Sequence, residues 1–146
     1  MEDKTKKKAI WAWTMYDWGN SAFATTIMAA VLPVYYSSVA GSTLAPNVAT
    51  ARWGFTTSFS ALLVAVLAPI LGSVADFKGN KKKFLGFFMG IGVTATAFLY
   101  FVKTGDWLLA SILYIFGNMG FSGSLVFYDA LLPHVVTPRA IEVMTW

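Results

Sequence analysis

Gly72-Ser73-Val74-Ala75-Asp76-Phe77-Lys78-Gly79-Asn80-Lys81-Lys82-Lys83 is a short charged stretch wedged between two long apolar runs, Trp53 to Ala75 and Phe84 to Val102. Its reading decides the fold. Gly79 permits the tight backbone turn that a short connection between antiparallel helices needs, and Gly72 lets a neighbouring backbone come close. A carboxylate at a helix C-terminus opposes the helix dipole, so Asp76 calls for a partner elsewhere. The lysines anchor such a connection at anionic head groups.

Composition widens this to the whole chain. Of the 146 residues 57% are apolar and 12% charged, with a mean hydropathy of +0.61. An ordinary soluble domain carries about 25% charged residues. The net charge of +4 sits in two lysine blocks beside apolar runs. Basic residues are not interleaved with aromatic ones as in a nucleic-acid groove, so a membrane surface and not a nucleic acid is the partner. With no cysteine there is no disulfide, thiolate metal site or cysteine nucleophile.

Four runs approach the roughly 20 apolar residues a membrane helix needs. They lie at about 13–36, 53–75, 84–102 and 107–128. None alternates with a period of two, and in lipid only helices or closed barrels satisfy the backbone. The expectation is an all-α, polytopic membrane protein. The first run is too long for a signal peptide and is interrupted by Asp17. Residues 1–12 read as a disordered basic tail, 13–132 as the four-helix membrane segment, and 133–146 as the start of a further helix. Thr137-Pro138-Arg139 is a helix-start signal, and the apolar pattern after it stops abruptly. The chain thus reads as the N-terminal fragment of a longer protein, with missing C-terminal helices of that protein as its partners.

All but two of the 11 Lys and Arg residues fall on one side of such a topology. The rule that cytoplasmic loops are positive places the N-terminus and the Asp76 connection in the cytoplasm. The stretch from Ser37 to Ala51 reads as an outer polar linker.

Polar groups inside the spans are where function would sit, because they are costly in lipid. On the first span Asp17, Asn20, Ser21, Ala24 and Met28 follow helical spacing; on the fourth, Ser111, Asn118, Ser122 and Asp129 do. Two polar stripes point to a shared aqueous cavity, with helix-to-helix hydrogen bonding as the plainer role for Asn118. The third span offers only Thr94 and Thr96 and reads as lipid-facing. Gly86 and Gly90, and the series Gly117, Gly120 and Gly123, read as packing devices, and Pro33 and Pro69 as kinks. His134, the single histidine, has no companion for a metal site. No HExxH, GxSxG or P-loop pattern occurs, so neither an enzyme nor a cofactor is indicated.

Gly72, Asp76, Gly79 and Lys81 resemble the signature between the second and third helices of the major facilitator superfamily, with Phe77 and Asn80 where that pattern has basic residues. The blocks Tyr16 to Phe23, Pro33 to Tyr36 and Phe127 to Pro133 resemble the autophagy-related vacuole-effluxer-like branch and its bacterial relatives. The resemblance implies a transporter of about twelve helices in two halves that rock around a central site. It implies that the first and fourth helices line the cavity and that Asp76 pairs across the halves. Fungal relatives are implied to release amino acids from the vacuole.

The expected function is therefore part of a secondary transporter for a small solute, amino acids among the candidates, working by alternating access. Gly72, Asp76, Gly79 and Lys81 would gate it. Asp17, Asn20, Ser21, Asn118, Ser122 and Asp129 would line the pathway, with Asp17 and Asp129 handling a coupling proton. The membrane would be the bacterial inner membrane, or the vacuolar one in a eukaryote. The alternatives are a homo-oligomeric small multidrug-type exporter using Asp17, or a membrane assembly subunit.

Because the chain has no cysteine, its orientation can be checked with single introduced thiols. Asn80→Cys should react with a membrane-impermeant maleimide from the cytoplasmic side and Ser42→Cys from the opposite side. The reverse pattern would overturn the charge-based orientation.

Overall fold

The computed structural model describes the backbone of residues 2–77 and 81–131, with side chains in these ranges except at 2–6, 9, 76 and 77. The described residues are helical with no strand, and four helices are long and apolar enough to cross a membrane. We number them α1, which begins at Glu2–Ala22 and continues to Ala40; α2, Pro46–Phe77; α3, Lys81–Phe98, closed by a 3-10 turn at Leu99–Phe101; and α4, Trp107–Asp129.

These bounds adjust three expectations. Residues 2–12 are helical, so the basic stretch is the first part of α1 and not a disordered tail. Ser37–Ala40 completes α1 and Pro46–Ala51 opens α2, which shortens the outer linker to residues 41–45. The short loop closes on itself, with Gly41 N–H bonded to Tyr36 O at 2.7 Å and Leu44 N–H to Gly41 O at 2.9 Å. Most of the charged stretch that marks the α2–α3 connection is itself helical, since α2 runs through Asp76 to Phe77 and α3 starts at Lys81. Gly79 lies outside the described residues, as do His134 and the helix-start signal at Thr137-Pro138-Arg139.

The two prolines differ in effect. Pro69 sits inside an unbroken α2. Pro33 follows a stretch of wide turns, Phe23–Val31, in which the bonding reaches five residues back, from Leu32 N–H to Ile27 O. Proline lacks the N–H that would serve the carbonyl four residues earlier, and its ring crowds that carbonyl. Wider turns relieve both problems, and such turns recur at functional sites.

α4 is the post of the bundle. In its most apolar window 33% of the residues are buried, against 11% in each of the other helices. It packs along α3 and along α2. The approach to α3 is made by glycines: a Cβ on Gly120 would collide with Gly92 N and would lie 2.7 Å from Gly92 Cα. A Cβ on Gly123 would run into the Phe88 ring. Gly86, Gly90 and Gly117, by contrast, have open space where a Cβ would go, so the GxxxG pair on α3 is not what holds the described helices together. Phe84 and Phe88 complete the seam by stacking on Phe127 at centroid distances of 5.1 and 5.8 Å.

The other main cluster lies at the end of the bundle that carries the α1–α2 and α3–α4 loops, the end that the charge pattern predicts to be outer, where buried Tyr36, Ala40, Val102 and Ala110 meet Trp53, Leu99, Trp107 and Leu113. Gly105, at φ 91, turns the α3–α4 connection, and its N–H bonds Val39 O at 3.3 Å, tying the two outer loops together. Trp18, Phe55, Phe87 and Tyr100 are exposed on the outer surface. In water they would form adhesive patches; hydrocarbon is the solvent that suits them.

Gly120→Ala should cost about 1–3 kcal/mol of stability by overpacking the α3–α4 seam, and Gly86→Ala should be near neutral. Denaturant unfolding in mixed micelles, followed by tryptophan fluorescence, would compare them. Equal effects would mean that the seam is elsewhere.

Candidate functional site

The fourth-helix stripe is the place to start, because its members do not all face one space. Asn118 Nδ2 donates to Ser60 Oγ of α2 at 2.9 Å, and Ser60 is fully buried. One stretch further out, Ser111 Oγ lies 3.0 Å from Thr56 Oγ1 and 3.1 Å from Tyr36 OH. Ser111 also donates to Trp107 O at 2.9 Å. Three hydroxyls from α1, α2 and α4 thus satisfy one another in a buried cluster. Ser122 lines a small crevice against Val64, Leu67 and Leu71 of α2. Ser111, Asn118 and Ser122 therefore face α2, and the polar stripe serves as hydrogen-bonding contact between helices.

A different face of α4 meets the first-span residues. Gly120, Phe121 and Ser124 form the floor of a cavity of about 530 Å³ whose walls are α1 and α3. Tyr16, Gly19 and Asn20 line it from α1, and Met89, Gly92 and Thr96 from α3. Asn20 is the one predicted pathway residue that lines this space; Asp17 and Ser21 are exposed on the neighbouring side of α1. α3, expected to face lipid, keeps Phe87 and Phe98 exposed and lines the cavity with the face that carries Met89, Gly92 and Thr96. The reason is the Gly92–Gly120 approach, which pulls that face of α3 inward.

At the opposite end of the bundle, which the charge pattern predicts to be inner, the structure assembles a cluster that sequence spacing does not show. Tyr16 OH donates to Ser124 Oγ at 2.7 Å, and Ser124 donates onward to Phe121 O at 2.7 Å. Tyr128 OH donates to Trp13 O at 3.2 Å, and its ring stacks on Trp13 and on Tyr16 at 4.6 and 4.7 Å. Trp13 Nε1 is buried with no acceptor among the described residues. Asp129, next in sequence to Tyr128, and Asp17, next to Tyr16, are both exposed beside this cluster. The two carboxylates expected to handle protons thus each adjoin one of the two stacked tyrosines, on different helices. Tyr16, Ser124 and Tyr128 are not among the expected pathway residues: Tyr16 and Tyr128 enter the sequence reading only within the blocks that carry the family resemblance, and Ser124 falls off the spacing of Ser111, Asn118, Ser122 and Asp129.

Of the gating residues, Lys81 Nζ donates to Ala130 O at 3.0 Å. A cation at the C-terminus of α4 is favoured by the helix dipole, and the bond ties the start of α3 to the end of α4. Gly72 has open space around it and Asp76 is in the last turn of α2. At the outer end the Arg52 guanidinium lies 3.6 Å from the Trp107 ring centroid, a cation–π contact between α2 and α4. No group of three or more metal-ligating side chains occurs among the described residues.

Four membrane-length helices joined by short connections, with buried Ser60, Thr56 and Ser111 paired between helices, define a multi-pass α-helical membrane protein. A family model described as vacuole effluxer Atg22-like matches residues 48–143. The chain belongs to this branch of the major facilitator transporters. It is 42% identical over 135 residues to the uncharacterized MFS-type transporter YxiO of Bacillus subtilis, covering 92% of this chain and 32% of that protein. It is also 34% identical over 82 residues to autophagy-related protein 22 of Coccidioides immitis, and 35% over 82 residues to that of Pyricularia oryzae. Those matches cover 56% of this chain and 14% and 12% of the fungal proteins. The chain therefore spans about a third or less of the curated relatives it matches. No solved structure matches it significantly.

A double-mutant cycle with Asn118→Ala and Ser60→Ala should give a coupling of about 0.6 kcal/mol, the usual size for a hydrogen bond between membrane helices. Unfolding in mixed micelles would read it. Full additivity would mean that Asn118 is not committed to α2.

Proposed function

We propose that these four helices work as part of a secondary active transporter that moves a small solute by alternating access, with amino acids as the substrate class. Family membership carries the reading; the names of the fungal relatives connect them with autophagy, and the model's description with vacuolar efflux. The inner-end cluster supports a proton-coupled mechanism. Asp17 and Asp129 adjoin the two stacked tyrosines on different helices, so motion of those helices changes the separation of the carboxylates, and membrane carboxylates commonly form proton relays.

Asp17 and Asp129 are the proton-handling pair in this reading, and Asn20 contributes an amide to the pathway from its cavity wall. Ser21 lies on the adjoining face of α1. Asn118, which bonds Ser60 of α2, and Ser122, which lines a crevice against α2, enter the pathway only through motion of α2. Gly72, Asp76, Gly79 and Lys81 form the gate at the cytoplasmic end, where Lys81 already bridges two helices. With the N-terminus cytoplasmic, the protein resides in a bacterial inner membrane or, in a eukaryote, the vacuolar membrane.

The test is uptake of a panel of labelled amino acids by proteoliposomes containing the whole protein. Asp76→Asn should slow transport about tenfold if the Asp76 contact biases one state by about 1.4 kcal/mol. Asp17→Asn and Asp129→Asn should abolish accumulation driven by a pH gradient while leaving substrate exchange at equal pH. Unchanged rates would remove the gating role, and loss of exchange and accumulation together would remove the coupling role.

A further inference from the structure

We infer that a second groove between α3 and α4, one that α1 does not line, binds a single anionic phospholipid, with an acyl chain lying over Gly86 and Gly90 and the phosphate held by Lys82 and Lys83. This goes beyond lysines resting in a headgroup layer, because one lipid is seated along one helix face. It does not rest on the transport reading.

The groove has a volume of about 530 Å³. Gly86 and Gly90 of α3, at four-residue spacing, form its floor, with Phe87 and Phe98 of α3 and Leu113 and Phe116 of α4 beside them. The three phenylalanines are at least half exposed. A Cβ on Gly86 or Gly90 meets no atom within 4 Å, so the depression is made by missing side chains, and a branched residue at either position would fill it. From Gly86 to Phe98 the helix rises about 18 Å. That matches the hydrocarbon depth of one leaflet, half of a bilayer core of about 30 Å.

One end of this apolar run is cationic. Lys82 and Lys83 stand one turn before Gly86 and Phe87, on the same side of α3, and both are exposed. Lys81, by contrast, is committed to Ala130 O at 3.0 Å. The lysine cluster therefore divides, with one member joining α3 to α4 and two standing at the mouth of the groove. No charged side chain lines the groove itself. An amphiphile with an anionic head and a chain as long as one leaflet is deep complements both parts. A soluble phosphate complements the lysines alone and an apolar helix the groove alone, while the phosphate of a phosphatidylcholine is already balanced by its own choline. Lysines near a membrane surface favour anionic lipids for this reason.

The test uses the whole protein in vesicles that carry a photoactivatable group on a lipid acyl chain, once with a phosphatidylglycerol head and once with a phosphatidylcholine head. Peptide mass spectrometry maps the adducts. Adducts on residues 87–98 of α3 and on Leu113 or Phe116 should be richer with phosphatidylglycerol, and Lys82→Gln and Lys83→Gln should each lower that preference roughly fivefold. Gly90→Leu should remove the groove adducts with either head and leave adducts elsewhere on the protein. If that variant fails to fold, the lysine variants, at exposed positions, decide alone. Equal labelling of the groove by the two heads, or a preference that survives both lysine changes, means ordinary boundary lipid and overturns the inference. An unlabelled groove in a protein labelled elsewhere also overturns it, because another helix of the protein or a second copy then fills the space.

Discussion

Gly92 and Gly120 let the backbones of α3 and α4 come so close that a single methyl group on Gly120 would collide with the facing helix. The rest of the arrangement depends on this contact. Membrane helices gain little from excluding lipid and associate through packing and interhelical hydrogen bonds. A glycine crossing supplies the packing, and the aromatic side chains of Phe84, Phe88 and Phe127 fill the seam on either side. With α3 fixed to one flank of α4, the other flank is left for α2, and α1 closes over the inner cavity.

The α2 flank uses the second means of association. Ser60 with Asn118, and Thr56 with Ser111 and Tyr36, give each buried polar side chain a partner on another helix. An unpaired hydroxyl or amide in hydrocarbon is costly, so these contacts specify which faces of α2 and α4 meet as well as adding stability. This use of Ser111 and Asn118 accounts for why the fourth-helix stripe and the first-helix stripe do not open onto one space. The cavity is instead bounded by Asn20 and Tyr16 on one side and by the glycine-lined faces of α3 and α4 on the other.

The contrast between the two ends of the bundle follows from the same logic. The outer end has short loops tied to each other through Gly105 and Val39, a buried aliphatic and aromatic cluster, and the Arg52–Trp107 contact. At the inner end the connections between helices are longer-range side-chain bridges: Lys81 to Ala130, Tyr16 to Ser124, and Tyr128 to Trp13. In a transporter that works by alternating access, an end held by a few reversible polar bridges is the one suited to open and close.

Much of this was legible in the residues alone. Run length and hydropathy determined the all-helical, membrane-crossing class, because lipid permits few solutions for a backbone, and the Gly72 to Lys83 stretch pointed to the superfamily by its resemblance to a known signature. Individual contacts were not legible. Spacing marked Gly86 and Gly90 as well as Gly117, Gly120 and Gly123 as packing devices and left Asn118 with two roles, cavity wall or helix-to-helix hydrogen bond; the close approaches fall to Gly120 against Gly92 and Gly123 against Phe88, and Asn118 bonds Ser60. Helical periodicity says which residues share a face but not which neighbour that face meets, and three faces of α4 are occupied by three different helices. Only the tertiary structure decided those assignments, since they depend on backbone separations of a few ångströms set by where a Cβ is absent.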